Sequence, residues 1–131
     1  MPIFVKGCPI VLAGLGDYWN EDCRPQGCLR PVNPKASPPR DPTLLLCHNP
    51  DAKGLLDGFQ WDLMLSGHTH GGQIFPFHIL SKLAYKAKPG LSELAPHTFL
   101  YLSRGTGSWG PQLRIFAPPE ITHFTINASV L

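Results

Sequence analysis

The chain has 131 residues, 43% of them hydrophobic and 15% charged, a balance that belongs to a folded domain and not to a disordered tail. A formal charge of only +2, spread over scattered Lys and Arg, argues against a nucleic-acid-binding patch or an anionic membrane surface as partner. Fifteen prolines and thirteen glycines exclude an architecture of long helices, and no apolar run reaches transmembrane length.

From the N-terminus, Met1 to Leu15 is apolar but holds Lys6, Pro9 and several β-branched residues, which is not the three-part pattern of a signal peptide. Pro9 to Leu15 reads as a buried strand, broken at Gly16-Asp17, where Asp17 is either a turn residue or a group on a pocket rim. Glu21 to Pro42 is crowded with proline and has no period, so it is expected to be an exposed loop. Thr43 to His48 is a continuous apolar run ending on a polar residue. Asn49-Pro50-Asp51 then turns the chain into a short helix over Ala52 to Asp57. Trp61 to Ser66 is a second buried strand. Roughly a dozen residues separate the two, about the minimum for a crossover, so the strands are expected to be parallel neighbours. Further on, a short helix is predicted over Ile79 to Lys86 and a third strand over Thr98 to Ser103. Leu113 to Phe116 and Glu120 to Ile126 are expected to pair as antiparallel strands.

Cys23 and Cys28 are close in sequence, whereas Cys8 and Cys47 stand alone in strand-like runs. That is not zinc spacing, and all four read as structural or free thiols, with a Cys23–Cys28 disulfide as the alternative.

The residues that carry chemistry are histidines. His48 ends one apolar strand, and His68 and His70 follow the end of the next. If the strands are parallel neighbours, all three imidazoles meet at the carboxyl edge of the sheet, where open α/β sheets bind ligands. Residues two apart in extended chain point the same way, so His68 and His70 can both face one site. Gly67, Gly71 and Gly72 around them permit close backbone approach, and imidazole suits transition metals. The plainer reading of a lone loop histidine is a solvated side chain, which is how His78, His97 and His123 are read. Asn49 and Asp51 are either turn residues or groups that orient His48, and Gln73 is a candidate to pack beside the metal loop. Arg104, between small-residue turns, is a candidate for an anionic substrate or for a structural ion pair.

Leu45-Leu46-Cys47-His48-Asn49-Pro50-Asp51, followed by Trp61 to Ser66 and Gly67-His68-Thr69-His70-Gly71-Gly72-Gln73, closely resembles the calcineurin-like metallophosphoesterases. Leu12 to Asp17, Tyr101 to Gly107 and Pro118 to Thr122 are similar to the bacterial branch whose members are membrane-associated phosphodiesterases or carry a membrane segment. The resemblance implies a fold that is the C-terminal part of an αββα sandwich: an α/β mixed sheet with short helices. Residues 1–131 would then be a partial domain with a Pro-rich loop at 21–42.

It further implies a hydrolase of phosphomonoesters or phosphodiesters with two divalent ions, Mn, Fe or Zn. The residues matching His48 and His68 hold one ion and the residue matching His70 the other. The family's upstream motifs, Asp-x-His, Gly-Asp-x-x-Asp and Gly-Asn-His-Glu or Gly-Asn-His-Asp, do not occur here. The expectation is therefore a chain with only the C-terminal ligands, which self-associates or takes the missing half from a partner. Its location is expected to be cytoplasmic or peripheral to a membrane. The alternative is an inactive fragment that acts as a weak metal- or protein-binding module.

Overall fold

A computed structural model describes residues 2–5, 7–16, 29–31, 41–84 and 88–127. Strands β1 (Pro2–Val5), β2 (Cys8–Gly14), β4 (Thr43–Leu46), β6 (Leu63–Ser66), β7 (Gly90–Ala95) and β8 (Thr98–Leu102) form a six-stranded sheet in the order β1-β2-β4-β6-β8-β7. The four central strands, β2, β4, β6 and β8, run parallel, and the edge strands β1 and β7 pair antiparallel with their neighbours. The mixed α/β sheet with short helices is the expected class. Asp62 draws the starts of three strands together: its carboxylate accepts from the Thr43 amide at 2.6 Å, and its carbonyl accepts from the Phe99 amide at 2.7 Å.

Parallel register places residues of like burial side by side. Ala13, Leu45, Met64 and Leu100 are consecutive partners across the sheet, and all four are buried. Leu29, Cys47, Ala52, Leu56 and Trp61 complete this core. On the other face, Gly14, Leu46, Leu65 and Tyr101 form the corresponding row, and it is open, with Leu46 43% exposed. A run such as Thr43-Leu44-Leu45-Leu46 is apolar at successive positions because both sides of a parallel strand ordinarily lie under cover.

Two connections differ from the sequence expectation. Within the stretch read as an exposed loop, Leu29 is buried, and Arg30–Pro31 (β3) pairs antiparallel with Phe59–Gln60 (β5). Asp41 and Pro42 are exposed as expected, while the rest of that stretch, with Asp17, Cys23 and Cys28, lies outside the described residues. The helix expected over Ala52 to Asp57 is a 3-10 turn at Pro50–Leu55, where Asn49 Oδ1 accepts from the Asp51 amide at 2.9 Å. The helix predicted near Ile79 is α1 (Phe77–Ala84).

The pair of strands expected over Leu113 to Phe116 and Glu120 to Ile126 does not form. Pro111, Pro118 and Pro119 remove ladder donors, and side chains tie the segment down instead. Arg114 donates to the carbonyls of Arg104, Gly107 and Ala117, and Tyr101 binds both Glu120 and Thr122 through its hydroxyl. Among the described residues, no helix is long and apolar enough to cross a membrane.

Candidate metal centre

The parallel ladder continues past the strand ends and brings the histidines to one edge. The Cys47 amide donates to Leu65 O, and the Gly67 amide donates to His48 O. His48 Nε2 lies 3.3 Å from His68 Nδ1, with the ring centroids 5.1 Å apart and the rings edge to face. Two nitrogens that share one ion at about 2.1 Å stand roughly 3.0–3.4 Å apart at tetrahedral to octahedral angles, so this pair fits a single metal as well as it fits a ring-to-ring hydrogen bond.

His70 lines the same two cavities but faces another partner, with its Nδ1 3.4 Å from Arg114 Nη2. Burial lowers the His70 pKa from its ordinary 6.5, and the Arg114 charge and the neighbouring histidines add to this, while a hydrogen bond to Gly107 opposes it. The neutral ring favoured in this way is the form that ligates a metal.

The backbone reason offered for the His68–His70 pair is corrected by the structure. The segment is a tight turn, not extended chain: His68 (φ 69), His70 (φ 49) and Gln73 (φ 42) share the left-handed region with Gly71 and Gly72. Side chains with a Cβ are uncommon there, and such strain clusters at functional sites. The turn sends the His68 ring toward His48 and the His70 ring toward Arg114. Glycine suits position 71, at φ 62, because a Cβ there would meet Arg104 Cγ at 3.0 Å and that side chain would have to give way.

The other candidates take clear places. Asn49 is buried: its Oδ1 caps the turn, and its Nδ2 has no partner among the described residues. Asp51 opens that turn through its amide. Gln73 is 6% exposed and spends its amide on the backbone of a distant loop, donating to Trp109 O at 2.7 Å and Pro111 O at 3.1 Å. Arg104 is on the cavity rim and pairs with Glu120 at 2.7 Å. That cavity, of about 610 Å³, runs from the histidines over Gly14, Leu46, Leu65 and Tyr101 to Thr122 and Phe124.

Neither Arg114 nor Glu120 is singled out as a site residue by sequence, although Glu120 lies in the Pro118 to Thr122 stretch that carries the resemblance. Their partners are not legible locally, since both act through bonds made across the fold. Burial opposes ionisation of Glu120, yet its pKa is lowered from 4.5 because the Arg104 amide, the Tyr101 hydroxyl and the Arg104 guanidinium together outweigh it. The folded state therefore holds that proton less readily than the unfolded chain. The resulting stabilisation is full above about pH 4.5 and is lost as pH falls through the lowered folded value. Glu120→Gln is expected to cost about 1 kcal/mol at neutral pH, given the partial exposure of Arg104, and to flatten the acid limb of a melting-temperature profile. An unchanged acid limb would remove Glu120 from that role.

No protein-family model matches the chain, and no solved structure matches it. Curated proteins do match. The chain is 54% identical over 79 residues to an uncharacterised metallophosphoesterase of Campylobacter jejuni, covering 60% of this chain and 21% of that protein. It is 42% identical over 121 residues to an uncharacterised metallophosphoesterase of Helicobacter pylori, covering 89% of this chain and 32% of that protein. A phosphodiesterase of Escherichia coli, YaeI, is 40% identical over 118 residues, covering 85% and 39%. The chain thus spans about a fifth to two fifths of the length of these relatives. By this similarity the chain belongs to the calcineurin-like metallophosphoesterases, a family of metal-dependent hydrolases, and corresponds to their C-terminal region.

Proposed function

We propose that His48, His68 and His70 are the histidine side of a two-metal phosphoester hydrolase site, with His48 and His68 on one ion and His70 on the other. The observation that carries this is the 3.3 Å approach of His48 Nε2 to His68 Nδ1 at the carboxyl edge of parallel strands. Divalent ions supply Lewis acidity toward phosphoryl oxygens and lower the pKa of the attacking water. The chain's own residues do the rest. His48 Nε2 and His68 Nδ1 would face the same ion, Arg114 faces His70, and Arg104, paired with Glu120, stands at the rim where an anionic substrate would meet its guanidinium. The substrate class is a phosphodiester or phosphomonoester. Residues 1–131 act in this reading as part of a domain, with carboxylate donors supplied from other polypeptide that also covers the open row of Leu46, Leu65 and Tyr101.

A second reading rests on a specific observation: among the described residues, no group of three or more His, Cys, Asp or Glu side chains is disposed to hold a metal. In that reading the chain is a weak metal- or protein-binding module without catalysis. For the chain together with the polypeptide that supplies the carboxylate donors, calorimetric titration with Mn²⁺ and Zn²⁺ and hydrolysis of bis(p-nitrophenyl) phosphate in Mn²⁺ separate the two. Binding of two ions with Mn²⁺-dependent turnover is the expected result for the hydrolase. Weak binding of one ion with no turnover would leave only the second reading.

A further inference from the structure

The three histidines open onto a second cavity of about 680 Å³ whose remaining wall includes Ile74, Phe77, Trp109 and Pro111. Its size is that of a small-molecule site, and such sites combine apolar walls with a few convergent polar groups. Here the polar groups are the candidate metal ligands themselves, so whatever is bound at the histidines has an apolar surface beside it.

That wall is built into the fold. Gln73, buried and held at φ 42, both accepts from the Trp109 amide and donates to the Trp109 carbonyl, and also donates to Pro111 O. Its own carbonyl accepts from the Ile115 amide at 2.8 Å. A buried amide is thus committed, through hydrogen bonds spanning 36 and 38 residues, to fixing two of the apolar wall residues within reach of the histidines. Phe77 and Trp109 nevertheless keep 57% and 77% of their surface exposed. Large apolar side chains carried on an anchored backbone and left uncovered beside a polar site suit an apolar ligand group.

We propose that the phosphoester substrate carries an apolar group, an alkyl chain or an aromatic ring, which seats against Ile74, Phe77, Trp109 and Pro111 while the phosphoryl group faces the histidines. The proposal rests on the phosphoesterase reading for the phosphoryl end only. Phe77 and Trp109 then set specificity by burying the group next to the scissile ester.

The test is calorimetric binding of inorganic phosphate, phenyl phosphate and octyl phosphate to the full chain in Mn²⁺, with octyl phosphate kept below its aggregation threshold. The wild-type chain is compared with Phe77→Ser and Trp109→Ala, two substitutions at exposed positions that the core does not depend on. At least one organic phosphate is expected to bind tenfold or more tighter than inorganic phosphate, about what two buried methylene groups supply. Preference for the octyl or the phenyl arm identifies the group. In each variant that preference is expected to fall severalfold. Equal affinity for all three phosphates, or a preference that both variants retain, overturns the proposal. The Mn²⁺ titration in the same experiment judges the metal site separately: metal binding without organic preference refutes the groove and leaves the hydrolase reading standing, and organic preference without metal binding does the reverse.

Discussion

Leu45→Ala is expected to destabilise the fold by about 3–4 kcal/mol, whereas Leu46→Ala, one residue further on, is expected to cost less than about 1 kcal/mol. Both are leucines in β4, and both are flanked by parallel strands. They differ in the face they occupy. Leu45 is wholly buried in register between Ala13 and Met64, so truncation removes packed methyl groups and leaves a cavity that the strand backbone cannot close. Leu46 lies over the open row and is 43% exposed. Since small domains hold only about 5–15 kcal/mol of net stability, the first substitution removes a large share of it. Urea unfolding followed by circular dichroism measures both. Equal losses would show that the second face is covered in solution, and the reading of an open face would be wrong.

The same contrast explains what could be read from sequence. Thr43 to Leu46, Leu63 to Ser66 and Thr98 to Leu102 announce themselves as unbroken apolar runs because each is an inner parallel strand. β7 does not, since Gly90-Leu91-Ser92-Glu93-Leu94-Ala95 is an edge strand with mostly exposed side chains and no burial pattern to read. The meeting of His48 and His68 was legible because parallel neighbours must end on one edge. The course of the last described segment was not. Its shape comes from Arg114 reaching three carbonyls and from Glu120 reaching Arg104, bonds that no local period encodes. Gln73 is similar: in sequence it is one polar residue after two glycines, and only the fold shows its amide closing on Trp109.

His68→Gly is expected to weaken Mn²⁺ or Zn²⁺ binding by about 100-fold or more, since loss even of groups that merely support a ligand costs roughly 10–100-fold. The same change is expected to leave the metal-free chain no less stable than the parent. The two effects have separate origins in one residue. The ring supplies one of the two nitrogens that stand 3.3 Å apart, and His48 alone cannot hold an ion between two imidazoles. The backbone at His68 sits at φ 69, where a side chain with a Cβ is strained by about 1–2 kcal/mol and glycine is not. Relief of that strain offsets the lost ring contact with His48. A residue that the chain would fold as well or better without is most simply explained by what its ring binds. Metal titration and thermal melting on the same preparation test both halves. A glycine variant that binds metal like the parent would take His68 out of the site, and one that is markedly less stable would mean that the ring serves the fold.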